Sequence, residues 1–338
     1  MNYINNRFLL QKRPTGMPED NCWVMDSQKI TELQKQEILI KAEYLSIDPY
    51  MRGKMNDSIS YTPPLKIGEV MVGESVGTVI ESKSKNYAVG DLVTVHQGWQ
   101  TYIKTKDSDP SVLKVPESKL NSSVFLGTLG MPGRTAYFGL NYVGKPQHGE
   151  TLVVSAASGA VGSVVGQLGK LIGCEVIGIA GGPEKSKYVT EELKFDQCID
   201  YKNENVVEKM EKYCPNGIDI YFENVGGEIT KMVSKFLNKN ARVPICGFIS
   251  KYNSTNIAGE ETPFHVLGAL NPKPKHRFFV VTEWLNQFEK ATSILHEHVK
   301  NGDIKFRETI TPGFENAPQG LRDVLSGKNF GKQIIKII

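Results

Sequence analysis

TLVVSAASGAVGSVVGQLGKLIG, residues Thr151 to Gly173, is the stretch on which the reading of this chain turns. Thr151 to Ser155 is a short apolar, β-branched run bounded by small residues, the pattern of a buried strand. Ala157-Ser158-Gly159-Ala160-Val161-Gly162 follows, a dinucleotide fingerprint with Ala in place of its first Gly. Val161, Val164, Val165, Leu168 and Ile172 then recur at helical spacing, and Gly173 supplies a stop. Strand, glycine turn and helix therefore come in the order that pyrophosphate binding needs. A pyrophosphate is held by free backbone N–H groups and the positive end of a helix dipole. Gly159 lets the backbone approach it, and Gly162 lets the helix pack close to its strand. A crossover using small residues only for packing would explain the glycines as well, but what surrounds the stretch favours the nucleotide reading.

Downstream, strands and helices alternate. Glu175 to Ala180 reads as a second strand, Lys185 to Leu193 as a helix, and Gln197 to Ile199 as a short third strand. A charged helix over Val206 to Tyr213 precedes a fourth strand, Ile218 to Phe222. Ala241 to Cys246 is the fifth, with Pro244 unusual for a central strand, and Phe278 to Val281 is the sixth. Trp284, Phe288, Ala291, Leu295 and Val299 mark an amphipathic helix. This alternation predicts α/β architecture with a doubly wound parallel sheet. Upstream of about Phe125 the chain is β-rich. Ile38, Ile40 and Ala42 alternate with polar neighbours, and glycines punctuate Gly68 to Ile80 as in the bent strands of a small barrel. The tail, Gln333 to Ile338, reads as a strand returning to this first domain.

With 338 residues the chain is long enough for two domains, each with its own core. Its net charge of +3, from 40 basic and 37 acidic residues, gives no reason to expect a nucleic acid or a membrane surface as partner. The start has no apolar signal core, and no apolar window of about 18 residues occurs. Cys22, Cys174, Cys198, Cys214 and Cys246 are widely spaced without a C-x-x-C, which reads as reduced thiols in a cytoplasmic protein.

Five blocks carry a resemblance. Leu45-Ser46-Ile47-Asp48-Pro49-Tyr50-Met51-Arg52 is similar to an L-S-x-D-P-Y-M-R motif, and Gly130 to Tyr137 to G-M-P-G-x-T-A-Y. Phe222 to Gly227 resembles F-[DE]-N-V-G-G, Cys246 to Asn253 resembles C-G-x-I-S-x-Y-N, and Gly327 to Lys332 resembles G-x-N-x-G-K. In this order they resemble the zinc-independent branch of the medium-chain dehydrogenase/reductases, and within it the prostaglandin reductase, alkenal double-bond reductase and curcumin reductase group. The resemblance implies a GroES-like catalytic domain over residues 1–125, completed by 303–338, and a Rossmann NADP-binding domain over 126–302. It also implies a cleft between them and a homodimer.

Coenzyme preference is read at the end of the second strand. An NAD site places a carboxylate about 20 residues beyond the fingerprint to hold the ribose 2′-OH. Here the strand runs into Gly181-Gly182-Pro183-Glu184-Lys185, with no acid at its end and a lysine following. A 2′-phosphate needs cations and donors, so NADP(H) is expected, with Glu184 the one departure towards NAD. The family pattern assigns Lys185 and Tyr201 to that phosphate. It also assigns the fingerprint turn Gly159 to Gly162, Asn224, the segment Cys246, Gly247, Phe248, Ile249 and Ser250, and Asn329 to the cofactor. Phe279, Val280 and Val281 would contact it through their backbone, and their strand would also pair across a dimer.

No metal is expected. The stretch resembling the Gly-His-Glu element of zinc-dependent relatives is Val72-Gly73-Glu74, with Gly73 where the imidazole would stand. The six histidines form no ligand pattern, and His296 and His298 read as surface residues. Polarising a substrate carbonyl then falls to phenol or amide donors and the cofactor's ribose hydroxyl. The resemblance puts Tyr252 beside the nicotinamide ribose and Tyr50 in the substrate cleft, so these are the candidate catalytic residues. The expected reaction is NADPH-dependent reduction of the carbon–carbon double bond of an α,β-unsaturated aldehyde or ketone. Two alternatives stay open: a quinone reductase, and a non-catalytic NADPH-sensing or RNA-binding protein on a reductase fold.

Overall fold

The structure is a computed structural model and describes residues 3–57, 63–254 and 259–337. The fingerprint strand Thr151–Ser155 lies near the middle of a six-stranded sheet in which every pairing is parallel. Across the sheet the order is Gln197–Asp200, Glu175–Ala180, Thr151–Ser155, Ile218–Phe222, Leu237–Ile245, Lys275–Phe278. Numbered along the chain this is 3-2-1-4-5-6, the doubly wound order that opens a crevice beside the first strand, where the winding reverses. Both faces of the sheet are covered, which is why its strands are apolar without alternation. Leu152 and Val154 join one core with Val164, Val165 and Phe222, while Val153 joins another with Ile177, Tyr221 and Val243.

The β-rich part forms a seven-stranded sheet. Its main path is Glu308–Pro312, Lys332–Lys336, Glu37–Ser46, Ser75–Ser82, Leu92–Val95 and Leu113–Lys114, with Tyr102–Lys106 also paired to Glu37–Ser46. A hairpin of Ile4–Leu10 and Trp23–Lys29 flanks it. The alternating Ile38, Ile40 and Ala42 enter one core with Phe8, Trp99 and Ile335. The returning tail is the strand Lys332–Lys336, antiparallel to Glu37–Ser46; Ile338 lies outside the described residues. This strand carries the end of the chain back past the crevice of the parallel sheet.

Several local expectations shift. The sixth parallel strand is Lys275–Phe278, not 278–281. The Glu283 carboxylate accepts the Val280 N–H at 2.9 Å and turns the chain into the 3₁₀ segment Val281–Gln287, so the apolar run ends the strand instead of forming it. Of the glycine-punctuated stretch Gly68 to Ile80, only the part from Ser75 is regular strand. Trp284 precedes the helix Phe288–Lys300 and stacks on Phe138 at a centroid distance of 5.1 Å. His296 and His298 are half-buried on that helix and bond to Ser118 and Asp303. Among the described residues, no helix is long and apolar enough to cross a membrane.

Candidate active site

The two sheets meet along a cleft of about 470 Å³. Its floor is the fingerprint turn. The strand ends at Ser155, Ala156 takes a left-handed conformation at φ 51°, and the Gly159 N–H closes the turn on the Ala156 carbonyl at 2.9 Å. The helix Gly162–Ile172 starts here with no side chain capping its N-terminus, so the positive end of its dipole is presented to the cleft that Gly159 to Gly162 line. A Cβ on Gly162 would stand 2.4 Å from the Ala156 carbonyl oxygen, so the turn closes only around glycine. Gly159 pairs with Gly331 of the returning C-terminal segment.

One end of the cleft is cationic. Tyr201 and Lys202 pack against Gly181, where a Cβ would sit 2.8 Å from the tyrosine ring and 3.0 Å from Lys202 Cε. The missing carboxylate thus has a steric counterpart: an acidic side chain here would displace both neighbours. The buried Asp200 carboxylate holds the loop by accepting from the Gly182 N–H at 2.7 Å, the Lys202 N–H at 3.1 Å and the Asn203 amide at 2.7 Å. Burial would push its pKa up, but these bonds outweigh that and hold it below the usual range. Lys185 lines the same end, yet its ammonium donates to the carbonyls of Gly327 at 2.8 Å and Asn329 at 2.6 Å. Burial, and then the charge of Lys202, push its pKa down. Lys202 is a cation that the motif reading passed over; its place next to Tyr201 was the available signal.

The other end is built on Glu223. Its buried carboxylate accepts from the N–H groups of Val225 at 2.7 Å and Gly226 at 3.0 Å, from the Ser155 hydroxyl at 3.2 Å, and from Thr230. This network fixes Asn224, whose side-chain amide donates to the Ser155 carbonyl at 2.8 Å. The segment Cys246–Ser250 is zipped to it: Cys246, Ile249 and Ser250 donate to the carbonyls of Glu223, Asn224 and Val225. Burial pushes the Cys246 thiol up to about 12, so it stays protonated and is no nucleophile. The Tyr252 hydroxyl lies against Gly247, where a Cβ would be 2.7 Å away. Of the candidate cofactor residues, Gly159 to Gly162, Lys185, Tyr201, Asn224, Cys246, Gly247, Ile249, Ser250, Tyr252, Phe279 to Val281 and Asn329 line the cleft. Phe248 does not; its ring packs edge-on against Tyr252 at 5.6 Å.

Opposite stands a wall of Ile47 to Tyr50, Met131 and Pro132. The Tyr50 hydroxyl is 2.8 Å from Nε2 of His96, a contact no sequence motif announces. The residues where zinc-dependent relatives hold metal do not fit one. At Gly73 a Cβ would meet Trp99 Cδ1 at 2.9 Å and Leu45 Cδ1 at 3.1 Å, so no imidazole has room. Asp48 is paired with the Lys332 ammonium at 2.9 Å and with Ser46, and Glu74 faces Arg134 at 3.7 Å. Burial pushes the Glu74 pKa up, against the pull of Arg134. Among the described residues no three His, Cys, Asp or Glu side chains gather as a metal site.

This cleft has counterparts. Residues 6–113 match the family described as the N-terminal domain of oxidoreductase, and residues 160–285 match the zinc-binding dehydrogenase family. The chain is 43% identical over 336 residues to the NADPH-dependent curcumin reductase of Escherichia coli (strain K12), covering 98% of this chain and 97% of that one. It is 39% identical over 331 residues to prostaglandin reductase 1 of Sus scrofa, covering 97% of each. The crystal structure of CurA from Vibrio vulnificus in complex with NADPH superposes with a TM-score of 0.92 at 41% identity, over 98% of this chain and 99% of that one.

Proposed function

Because the chain belongs to the zinc-independent medium-chain dehydrogenase/reductase family, in the group of the curcumin and prostaglandin reductases, we propose the reaction that its cleft is built to carry out. It is an NADPH-dependent reductase of the carbon–carbon double bond of α,β-unsaturated aldehydes and ketones. The observation that carries this reading is one cleft in which the fingerprint turn, the cationic pair Lys185 and Lys202, and the phenols Tyr50 and Tyr252 come together. NADPH fits the cradle: an uncapped helix N-terminus at Gly162, a glycine in place of a carboxylate at Gly181, and cations beside it.

When bound, NADPH supplies the hydride that reduces the substrate's β-carbon. The chain's own residues do the rest. Lys185, Tyr201 and Lys202 take the 2′-phosphate, and Asn224 with Cys246–Ser250 and Phe279–Val281 orients the nicotinamide end. Reduction at the β-carbon moves charge to the carbonyl oxygen, and the Tyr252 O–H, directly or through the ribose hydroxyl it orients, stabilises that enolate. Tyr50 faces the substrate. The catalytic domain spans 1–125 and 303–338 and the NADP-binding domain 126–302; the enzyme works without zinc, in the cytoplasm, as a homodimer.

The test is NADPH oxidation across enals, enones, prostaglandin-like and curcuminoid ketones, and quinones, with products identified by mass. The expected product is the saturated carbonyl compound, labelled at the β-carbon when the coenzyme is deuterated. Allylic alcohol as the main product, or turnover of quinones alone, sinks this reading.

A further inference from the structure

We propose that His96 is the residue through which solvent protons reach Tyr50, making the pair a relay that delivers the proton to the substrate's α-carbon. The proposal rests on the enone-reductase reading above. Reduction of an enone by hydride leaves an enolate, and turnover needs one proton at carbon that the hydride donor does not bring. Tyr50 lines the cleft, half-buried, on the wall facing the cofactor residues. His96 is exposed and lines a second cavity of about 570 Å³, to which Tyr50 does not contribute. The two side chains are the join: Tyr50 Oη and His96 Nε2 are 2.8 Å apart, and their rings stack at 6.3 Å. The backbone that carries the imidazole is held by the His96 main-chain N–H, which donates to Ser111 Oγ at 3.3 Å. Around it stand the buried carboxyl of Glu74 and, lining the outer cavity, Arg7, Lys29, Glu69 and Lys104.

Imidazole suits this place because it gives and takes protons near neutral pH and so can return a proton to the Tyr50 phenolate. The step balances. The enolate's α-carbon forms a C–H bond with the Tyr50 proton, the phenolate takes the Nε2 proton of the His96 imidazolium, and the neutral imidazole left behind is reprotonated from solvent. Two electrons have already entered with the hydride, so the sum is enone plus NADPH plus one proton to saturated ketone plus NADP⁺. His96 acts through Tyr50 and does not touch the substrate.

His96→Gln keeps a polar side chain near Tyr50 but cannot shuttle a proton, and His96→Ala leaves room for added imidazole. With either, kcat on an enone should fall roughly 10²-fold, the low end of what positioned proton transfer contributes. The coenzyme KM should stay put, and imidazole should restore His96→Ala in part. The isotope effect from deuterated NADPH should shrink towards one while the solvent isotope effect rises, because protonation has become limiting. A residue that merely shaped the cleft would not produce this exchange of isotope effects. A readout without turnover is the ¹⁵N shift of the His96 ring in the coenzyme-free protein, which should move on Tyr50→Phe. Thermal melting separates these effects from misfolding. Wild-type kcat in a folded His96→Gln, or a lowered kcat with both isotope effects unchanged, overturns the relay and leaves the function standing. A wild-type protein that reduces no enone overturns both.

Discussion

Residue by residue, the site divides its work between groups that hold and groups that react. Lys185 was the expected 2′-phosphate cation, but its ammonium also ties down the carbonyls of Gly327 and Asn329. Removing it loosens the C-terminal loop for either coenzyme. Among the described residues the Lys202 ammonium carries no such duty, so it is the cleaner probe of preference. A charged hydrogen bond contributes about 1.5–3 kcal/mol, so Lys202→Ala should raise the NADPH KM roughly ten- to a hundred-fold. NADH should be nearly unaffected by that change, whereas Lys185→Ala should weaken both coenzymes; steady-state kinetics with each coenzyme checks this. For Tyr252, Phe keeps the ring packed on Phe248 and removes only the O–H. A donor aimed at developing charge is worth about 3–4 kcal/mol, so Tyr252→Phe should lower kcat a hundred- to a thousand-fold if it acts directly. A loss nearer ten-fold would assign it to orienting the ribose.

At the scale of elements, the nucleotide cradle depends on how closely one helix approaches one strand. Gly162 sits where strand, turn and helix converge, with the Ala156 carbonyl 2.4 Å from where a Cβ would be. That oxygen belongs to backbone held at φ 51° and already accepts the Gly159 N–H, so it has little freedom to yield. Gly162→Ala should therefore destabilise the fold by about 1–3 kcal/mol, as overpacking does. It should also weaken NADPH binding, because the turn that aims its N–H groups must shift. Urea unfolding and fluorescence titration with NADPH measure the two effects; a variant with wild-type affinity would show that the cradle does not need this closeness.

For the whole molecule, the exposed feature is the edge of the parallel sheet. Lys275–Phe278 pairs on one side with Leu237–Ile245 and is the last strand in the order. The Phe279 N–H bonds inward to the Ile245 carbonyl, so by alternation His276 directs its N–H group outward. An open edge invites pairing, and a two-fold partner would close it. Light scattering at micromolar concentration should give a dimer, and His276→Pro, which removes an outward donor, should give a monomer. A wild-type monomer would remove the edge from consideration.

What the sequence determined by itself was whatever is written in short-range pattern. The apolar run at Thr151, the glycine spacing and the helical recurrence after Val161 specify strand, turn and helix, because backbone periodicity is set by neighbours a few residues away. The absent carboxylate after Ala180 was legible for the same reason. The sixth strand was misplaced by three residues because Lys275-His276-Arg277 has no apolar pattern: an edge strand exposed to solvent does not need one. What only the tertiary structure decided were contacts between distant parts of the chain. Tyr50 meets His96 across 46 positions, Lys185 meets the Asn329 carbonyl across 144, and Lys332 neutralises Asp48 across 284. No local pattern encodes such pairs. They follow from two sheets meeting over a cleft, where burial makes every unpartnered polar group costly and so selects which groups must meet.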